Sequence, residues 1–142
     1  MHKITLTRIA FGSALSVLAS CTNLDGRDEV MPTQADGAIF FAANCSSCHG
    51  TDGRGKTVQA GRLAVAPPDL TALSADNKGA FPAARALSYI YGDPKNSHLA
   101  RVMPQFGGAM AEDLVPVEIE GVLTPTPREL AGLLFYLESI QQ

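Results

Sequence analysis

The sequence predicts a mainly α-helical fold within one small domain, the size expected of 142 residues. Three segments carry helical periodicity or helix-end signals, and loops rich in glycine and proline separate them. A further observation concerns the core: only nine residues are aromatic and none is tryptophan. So few large side chains leave the helices short of apolar material to pack around.

The first predicted helix covers residues 36–44, with Thr33 and Asp36 as capping residues. Gly37, Phe41 and Cys45 lie four residues apart, so they share one face of this helix. A glycine inside a helix lowers its stability, and a close approach by another element is a physical reason to keep one. We therefore expect a second element to contact the helix at Gly37.

Two further helices are predicted towards the C-terminus. Pro82 suits the first position of one helix, and Gly92 suits its C-terminal cap. In the last helix, Thr126 and Glu129 are predicted to form a capping box with Pro127 at the first helical position. Apolar residues three and four apart give each helix one buried face: Ala83, Ala86, Leu87 and Ile90, and Leu130, Leu133, Leu134 and Leu137.

The connecting segments are predicted to be loops, with one exception. Residues 50–68 and 93–108 have the glycine and proline content of loops. Residues 115–123 alternate weakly between apolar and polar side chains, and Gly121 suits a turn. This stretch is predicted to be either a short hairpin or an extended arm.

The chemistry concentrates in Cys45-Ser46-Ser47-Cys48-His49, a C-x-x-C-H block. Two thiols at this spacing bond the vinyl groups of one haem, and the histidine becomes an axial ligand of its iron. A redox-active dithiol would need a β-α-β context, and half of a zinc site would need further Cys or His at ligand spacing. Neither accompanies the block, so the sequence predicts one covalent haem c, whose bulk also completes the core.

The other axial position of the iron needs a ligand from elsewhere in the chain. Methionine in that position raises the reduction potential. Met103 is the first candidate, because Pro104 stiffens the loop that carries it. Met110 is the second candidate and His98 the third, whereas Met31 lies within the predicted N-terminal tether.

Residues 50–57 match the phosphate-binding pattern G-x-x-x-x-G-K-T at every fixed position. Such a loop works between a buried strand and a helix, where the helix N-terminus and the loop amides converge on phosphate. Here the polar residues 44–49 precede the match, and Gly61, Pro67 and Pro68 follow it. We therefore expect no nucleotide ligand.

The N-terminus is predicted to be a lipoprotein signal. Lys3 and Arg8 precede an apolar run over residues 9–18, which is shorter than a membrane-spanning helix. The sequence Leu-Ala-Ser-Cys21 that follows resembles the bacterial lipobox, in which the cysteine is lipidated; an ordinary secretory signal is the alternative. The prediction is a signal peptide over residues 1–20, a polar tether over 21–34 and a domain over 35–142, on the periplasmic side of either bacterial membrane.

Removal of residues 1–20 leaves nine basic and fourteen acidic residues, a formal charge of −5. This charge argues against a nucleic-acid surface and favours a partner with a basic patch. Lipidation of Cys21 and haem attachment at Cys45 and Cys48 would leave no cysteine for a disulfide.

From residue 36 to residue 140 the chain resembles the class I c-type cytochromes. The resemblance implies that the Pro68 carbonyl accepts the ring N–H of His49 and that Leu70 packs on the haem. It also implies that the last helix crosses the first at Gly37. The matching motifs are Gly37 and Phe41 ahead of C-x-x-C-H, Pro68-x-Leu70, Met103-Pro104, and Leu133, Tyr136 and Leu137 of a Leu-x-x-Tyr-Leu ending. Residues 50–66 form a longer loop than the family pattern has, and residues 112–125 are extra.

The expected function is one-electron transfer by a monohaem carrier with His49 and Met103 as axial ligands, and not catalysis. The expected partners are redox proteins, met either by a free carrier or within a membrane oxidoreductase. The alternative is a haem enzyme subunit or a gas- or peroxide-binding haem protein, in which the site opposite His49 is open.

Overall fold

The computed structural model describes residues 30–92 and 103–142. The described residues from Met31 onwards belong to one compact unit, Met31–Gln142. The predictions for the signal peptide, for Cys21, for most of the tether and for His98 lie outside the described residues. No helix in the described part of the chain is long and apolar enough to cross a membrane.

The described residues form a small helical domain with one hairpin, so the predicted fold class is confirmed. The helices are α1 Gln34–Asn44, α2 Ser46–His49, α3 Ala83–Tyr91 and α4 Arg128–Ser139. The strands β1 Leu114–Ile119 and β2 Val122–Pro127 precede α4, and short 3-10 turns interrupt the loops. The choice between a hairpin and an extended arm is thereby settled in favour of the hairpin.

Helix α1 begins at a capping box, as predicted. The backbone N–H of Asp36 donates to Thr33 Oγ1 at 3.3 Å, and the Thr33 N–H donates to Asp36 Oδ2 at 2.8 Å. The Thr33 hydroxyl also donates to Asp36 Oδ2, at 2.7 Å. These bonds stabilise the carboxylate, and they lower the pKa of Asp36. The helix starts at Gln34, two residues before the predicted boundary.

Helices α1 and α4 cross in direct backbone contact at two glycines. A Cβ atom built on Gly37 would lie 1.9 Å from the carbonyl oxygen of Gly132 and 2.8 Å from the Leu133 nitrogen. The rings of Phe41 and Tyr136 meet on the same side of the crossing, with centroids 5.2 Å apart. The expected close approach at Gly37 is therefore present, and its closest neighbour is Gly132.

The predicted capping box of α4 is wrong. Thr126 belongs to β2 and is fully buried, and its hydroxyl donates to the Thr124 carbonyl at 2.9 Å. Pro127 is the N-cap residue, and no side chain caps the helix. The first turn is held instead by Arg128, whose backbone N–H donates to the Asp113 carbonyl at 2.9 Å and whose Nε donates to Asp113 Oδ2 at 2.8 Å.

The hairpin has a two-residue turn of the type that requires left-handed backbone at both positions. Glu120 has φ 52° and Gly121 has φ 82°. The closing pair Ile119 and Val122 exchanges hydrogen bonds, and pairs of the two kinds alternate from there. In the pairs Glu118–Leu123, Pro116–Pro125 and Leu114–Pro127 the backbone N–H positions therefore point away from the partner strand. The prolines of the hairpin, which lack an N–H, all occupy those outward positions: Pro116, Pro125 and Pro127.

The inner face of the hairpin packs against α4. Val115, Val117 and Ile119 of β1 are each 5–6 % exposed and pack on Ala131 and Leu134. The opposite face of α4, which includes Leu133 and Leu137, belongs to a second core cluster with α1 and α3. Helix α4 therefore contacts the hairpin on one face and the other core cluster on its opposite face, while α3 residues such as Ala83 and Ala86 also pack against the hairpin cluster.

Candidate functional site

A cavity of about 630 Å³ lies among the four helices and the loops that connect them. Its volume falls within the range of about 300–1,000 Å³ that is usual for small-molecule sites. Its lining is mostly apolar. The helices contribute Phe41, Ile90, Leu133 and Leu137, and the loops contribute Leu63, Val65, Leu70, Leu73 and Phe106.

The C-x-x-C-H block forms part of the cavity wall. Helix α2 places Cys48 and His49 there, since their backbone N–H groups both donate to the Cys45 carbonyl, at 3.2 and 2.9 Å. The Cys45 N–H donates to Phe41 in turn, which fixes the block to the end of α1. Both cysteines are free and partly buried, and burial raises the pKa of the Cys45 thiol to about 11.

His49 presents a buried ring nitrogen that lacks a partner of good geometry. Its Nδ1 atom is buried and makes no hydrogen bond within the described residues. Burial lowers the pKa of His49. The backbone of Pro68 lies close enough to favour the charged ring, and it partly opposes this change in pKa. Pro68 is thus beside the ring as the sequence predicts, and a short approach of its carbonyl would satisfy Nδ1.

The glycine-rich loop after His49 uses its amides internally. The Gly55 N–H donates to the His49 carbonyl at 2.7 Å, the Gly53 N–H donates to Gly50, and the Arg54 N–H donates to Asp52 Oδ1. A helix precedes the loop, and only a three-residue turn, Ala60–Arg62, follows it. The strand and the long helix that flank a phosphate-binding loop are therefore missing from the described residues 50–62.

Gly55 has a structural role that the sequence did not reveal. A Cβ atom built there would lie 2.7 Å from the Pro67 carbonyl oxygen and 3.4 Å from that of Pro68, and the residue has φ 69°. Glycine thus lets the loop pass directly over the two proline carbonyls beside His49. Positive φ and close approach both favour glycine, but the approach involves residues twelve or more positions away, which no local pattern contains.

The Met103 segment borders the same cavity, and Phe106 fixes it there. Met103, Pro104 and Phe106 all line the cavity. The Phe106 N–H donates to the Ile90 carbonyl at 3.0 Å, and its ring packs edge-on against Phe40 with centroids 5.6 Å apart. The segment that carries Met103 is therefore tied to both α3 and α1.

The other methionine candidates occupy different surroundings. Met31 is 40 % exposed at the start of the compact unit, and Met110 packs on the core outside the cavity lining. Of the three methionines in the described residues, only Met103 shares the cavity with His49. Position in the fold thus distinguishes Met103 from the other methionine candidates, which the sequence could only rank.

Helix α3 contributes two polar residues to the lining, beside Asn44 of α1 and Ser47 of α2. Arg85 and Tyr89 line the cavity, whereas Tyr91 packs over Gly107, where a Cβ atom would lie 2.5 Å from the ring. Leu70, which is predicted to pack on the haem, lies in the cavity wall. Among the described lining residues, Arg85 is the sole charged side chain apart from the titratable His49, and none is a carboxylate.

Metal sites other than a haem iron find no support in these residues. Within residues 30–92 and 103–142, no three His, Cys, Asp or Glu side chains are grouped so as to hold a metal ion. The C-x-x-C pair follows a helix, α1, and not the strand that a thioredoxin-like pair requires.

A family model described as Cytochrome c matches residues 34–141, three quarters of the chain. The chain belongs to the cytochrome c family. Comparison with curated proteins and with solved structures gave no match. This c-type cytochrome is therefore a haem c electron-transfer protein, and Cys45 and Cys48 supply the C-x-x-C spacing of the family.

The residues of the cavity fit the haem of this family. Two free thiols and a histidine with an unsatisfied buried nitrogen lie in one apolar wall, and a methionine lies in the same cavity. Together these groups offer covalent attachment, axial ligands and apolar contact, which are what the cytochrome needs to hold a haem c.

Proposed function

We propose that this protein is a class I, monohaem electron carrier in which His49 and Met103 are the two axial ligands. The observation that supports the proposal is that Cys45, Cys48, His49 and Met103 all line one apolar cavity. When bound, haem c supplies a one-electron iron couple. The protein residues hold it, set its potential and limit its access to water.

Each residue has a distinct task in this proposal. The Cys45 and Cys48 thiols would bond the vinyl groups of the haem, and the backbone hydrogen bonds of α2 keep His49 beside them. Pro68 offers its carbonyl to the other ring nitrogen of His49, which fixes the tautomer and increases the basicity of the ligand. Thioether ligation by Met103 favours the reduced state and so raises the potential.

The second candidate function, binding of a small molecule at an open axial position, needs a cavity in which the side opposite His49 lacks a ligand. The position of Met103 in the lining argues against it. Because Phe106 ties this segment to α1 and α3, the thioether is held close to the site in the resting protein.

We expect Met103→Ala to abolish the methionine-to-ferric charge-transfer band of the oxidised holoprotein and to lower its midpoint potential, because the thioether ligand is lost. Visible spectroscopy and a redox titration measure both effects. Met110→Ala is the control, since this methionine packs on the core outside the cavity lining and should keep the band. A high-spin ferric spectrum in the unmodified protein would instead support the open-site function.

We also propose that Cys21 carries a lipid that holds the domain on the periplasmic side of a bacterial membrane. The support is the lipobox-like sequence before Cys21 and the polar segment that follows it. One acyl chain gives marginal binding, whereas several chains anchor firmly. Redox proteins in or at that membrane are the proposed partners.

Replacement of the lipidated residue tests this location. We expect Cys21→Ser to move the holoprotein from the membrane fraction to the soluble fraction, with an unchanged haem spectrum. Fractionation with detection of covalent haem measures the shift. Ser20→Ala, which retains the cysteine, should stay with the membranes; a Cys21→Ser protein that still sediments with membranes would refute the lipid anchor.

A further inference from the structure

The hairpin has an apolar surface that nothing in the described domain covers. The exposed residues on its outward side, here called the outer face, are Leu114, Pro116, Glu118, Leu123 and Pro125; Pro127, opposite Leu114, is on the same side but is buried. Leu114 is 48 % exposed and Leu123 is 67 % exposed, and both prolines are also exposed. The register puts Pro116 opposite Pro125 and Glu118 opposite Leu123, so the apolar side chains are contiguous across the two strands.

Packing of the domain does not account for these exposed residues. The inner face of the hairpin already buries Val115, Val117 and Ile119 against α4. A surface hairpin needs one apolar face for that purpose and normally keeps its other face polar. Contiguous apolar side chains on the second face are instead typical of surfaces that bind another molecule.

The prolines limit how a partner can bind. Pro116 and Pro125 occupy positions whose N–H groups would point away from the partner strand, so each strand edge lacks a donor at its centre. Addition of a further strand to either edge is therefore disfavoured. A partner has to contact the outer face through side chains.

Charge selects among the molecules that could cover this face. Residues 112–127 include Glu112, Asp113, Glu118 and Glu120 and contain no lysine or arginine. Asp113 is paired with Arg128, which leaves three carboxylates around the apolar residues. A second copy of the hairpin would bring like charges together, and anionic lipid headgroups would be repelled in the same way.

We propose that the outer face of the hairpin is a docking surface for a partner protein whose contact area has an apolar centre bordered by lysine and arginine. The surface lies on the other side of α4 from the cavity, because Ala131 and Leu134 pack against the hairpin while Leu133 and Leu137 line the cavity. Docking there leaves the cavity accessible. The proposal is independent of the axial ligands and would hold for either haem function.

Site-specific cross-linking in native membranes tests this proposal with the full-length holoprotein. A photoreactive benzoylphenylalanine replaces Leu123 in one variant and Val58 in the control, which is 79 % exposed on the loop after the haem motif. The haem spectrum verifies that each variant is folded. We expect a discrete heterologous protein adduct from position 123, with the cross-linked partner peptide beside a cluster of lysine or arginine, and no such adduct from position 58.

Charge reversal provides the decisive comparison. Glu118→Lys with Glu120→Lys should reduce the adduct by at least about tenfold, because basic residues would then face basic residues. Asp76→Lys with Glu138→Lys makes the same change in net charge at exposed positions outside the hairpin strands and should leave the adduct yield unchanged. An adduct that survives reversal at the hairpin, an adduct between two copies of this chain, a lipid adduct alone, equal yields from positions 58 and 123, or no adduct would each overturn the proposal.

Discussion

Gly37→Ala is expected to destabilise the holoprotein by more than about 3 kcal/mol, beyond the usual cost of overpacking a core. The new methyl group would lie 1.9 Å from the Gly132 carbonyl oxygen and 2.4 Å from its carbonyl carbon. Both are backbone atoms, so no side-chain rotation relieves the contact and the two helices have to separate. For a domain of this size the loss corresponds to a fall in melting temperature of at least about 10 °C, measured by circular dichroism of the haem-loaded protein.

Two other glycines serve as graded controls for that measurement. A Cβ atom on Gly132 would lie 3.2 Å from the Gly37 nitrogen and 3.3 Å from the Thr33 oxygen, so Gly132→Ala should cost less, particularly since alanine gains about 1 kcal/mol in helix propensity. Gly61 has no atom within 4 Å of the added position, and Gly61→Ala should change stability by no more than about 0.5 kcal/mol. Equal melting temperatures for the Gly37 and Gly61 variants would show that the crossing is not the close contact described.

The double variant Cys45→Ala, Cys48→Ala is expected to lack covalent haem and to be largely unfolded. Four core residues, Phe41, Ile90, Leu133 and Leu137, line the cavity. Without haem these side chains would border about 630 Å³ of unfilled apolar space, and unfilled apolar volume in a core lowers stability steeply. A domain stability of only about 5–15 kcal/mol leaves little margin for such a loss.

Far-ultraviolet circular dichroism measures this result, since it reports the helix content of the haem-free chain. Ser47→Ala lies between the two cysteines at an exposed position and should keep haem and native helix content. Native-like helicity in the haem-free double variant would contradict the expectation, because the apolar residues around the cavity would then be able to close on themselves.

The parts of the fold that the sequence predicts are those whose causes lie within a few residues. The Thr33–Asp36 capping box, the apolar stripe of α4 and the Gly121 turn each depend on neighbours in the chain. The C-x-x-C-H block is equally local, because attachment and ligation follow from the spacing of five residues. Met103 differs from these: its proline neighbour makes it the first candidate, but only the fold shows that it lines the cavity while Met110 does not.

The features that were missed or mistaken depend on contacts between distant residues. Thr126 fits the spacing of a capping box, yet the pairing of β2 with β1 continues to Pro127, past this residue. The Thr126 hydroxyl therefore donates to the Thr124 carbonyl within β2 and does not cap the helix. Gly132 looks like an unfavourable residue in the middle of a good helix until α1 is placed against it. Gly55 likewise acquires its purpose only when the Pro67 and Pro68 carbonyls fold over it.

The arrangement of charges on the two sides of α4 affects how the molecule approaches other proteins. The cavity has Arg85 and no carboxylate among its described lining residues, whereas the hairpin on the other side of α4 has Glu118 and Glu120, with Glu112 just before it. The two regions therefore differ in the sign of their local charge. A charged partner is attracted to one of them and repelled by the other, which affects the orientation in which the molecule approaches. Because added salt screens these forces beyond a Debye length of about 8 Å at physiological ionic strength, salt changes which side of the molecule arrives first as well as how often it arrives.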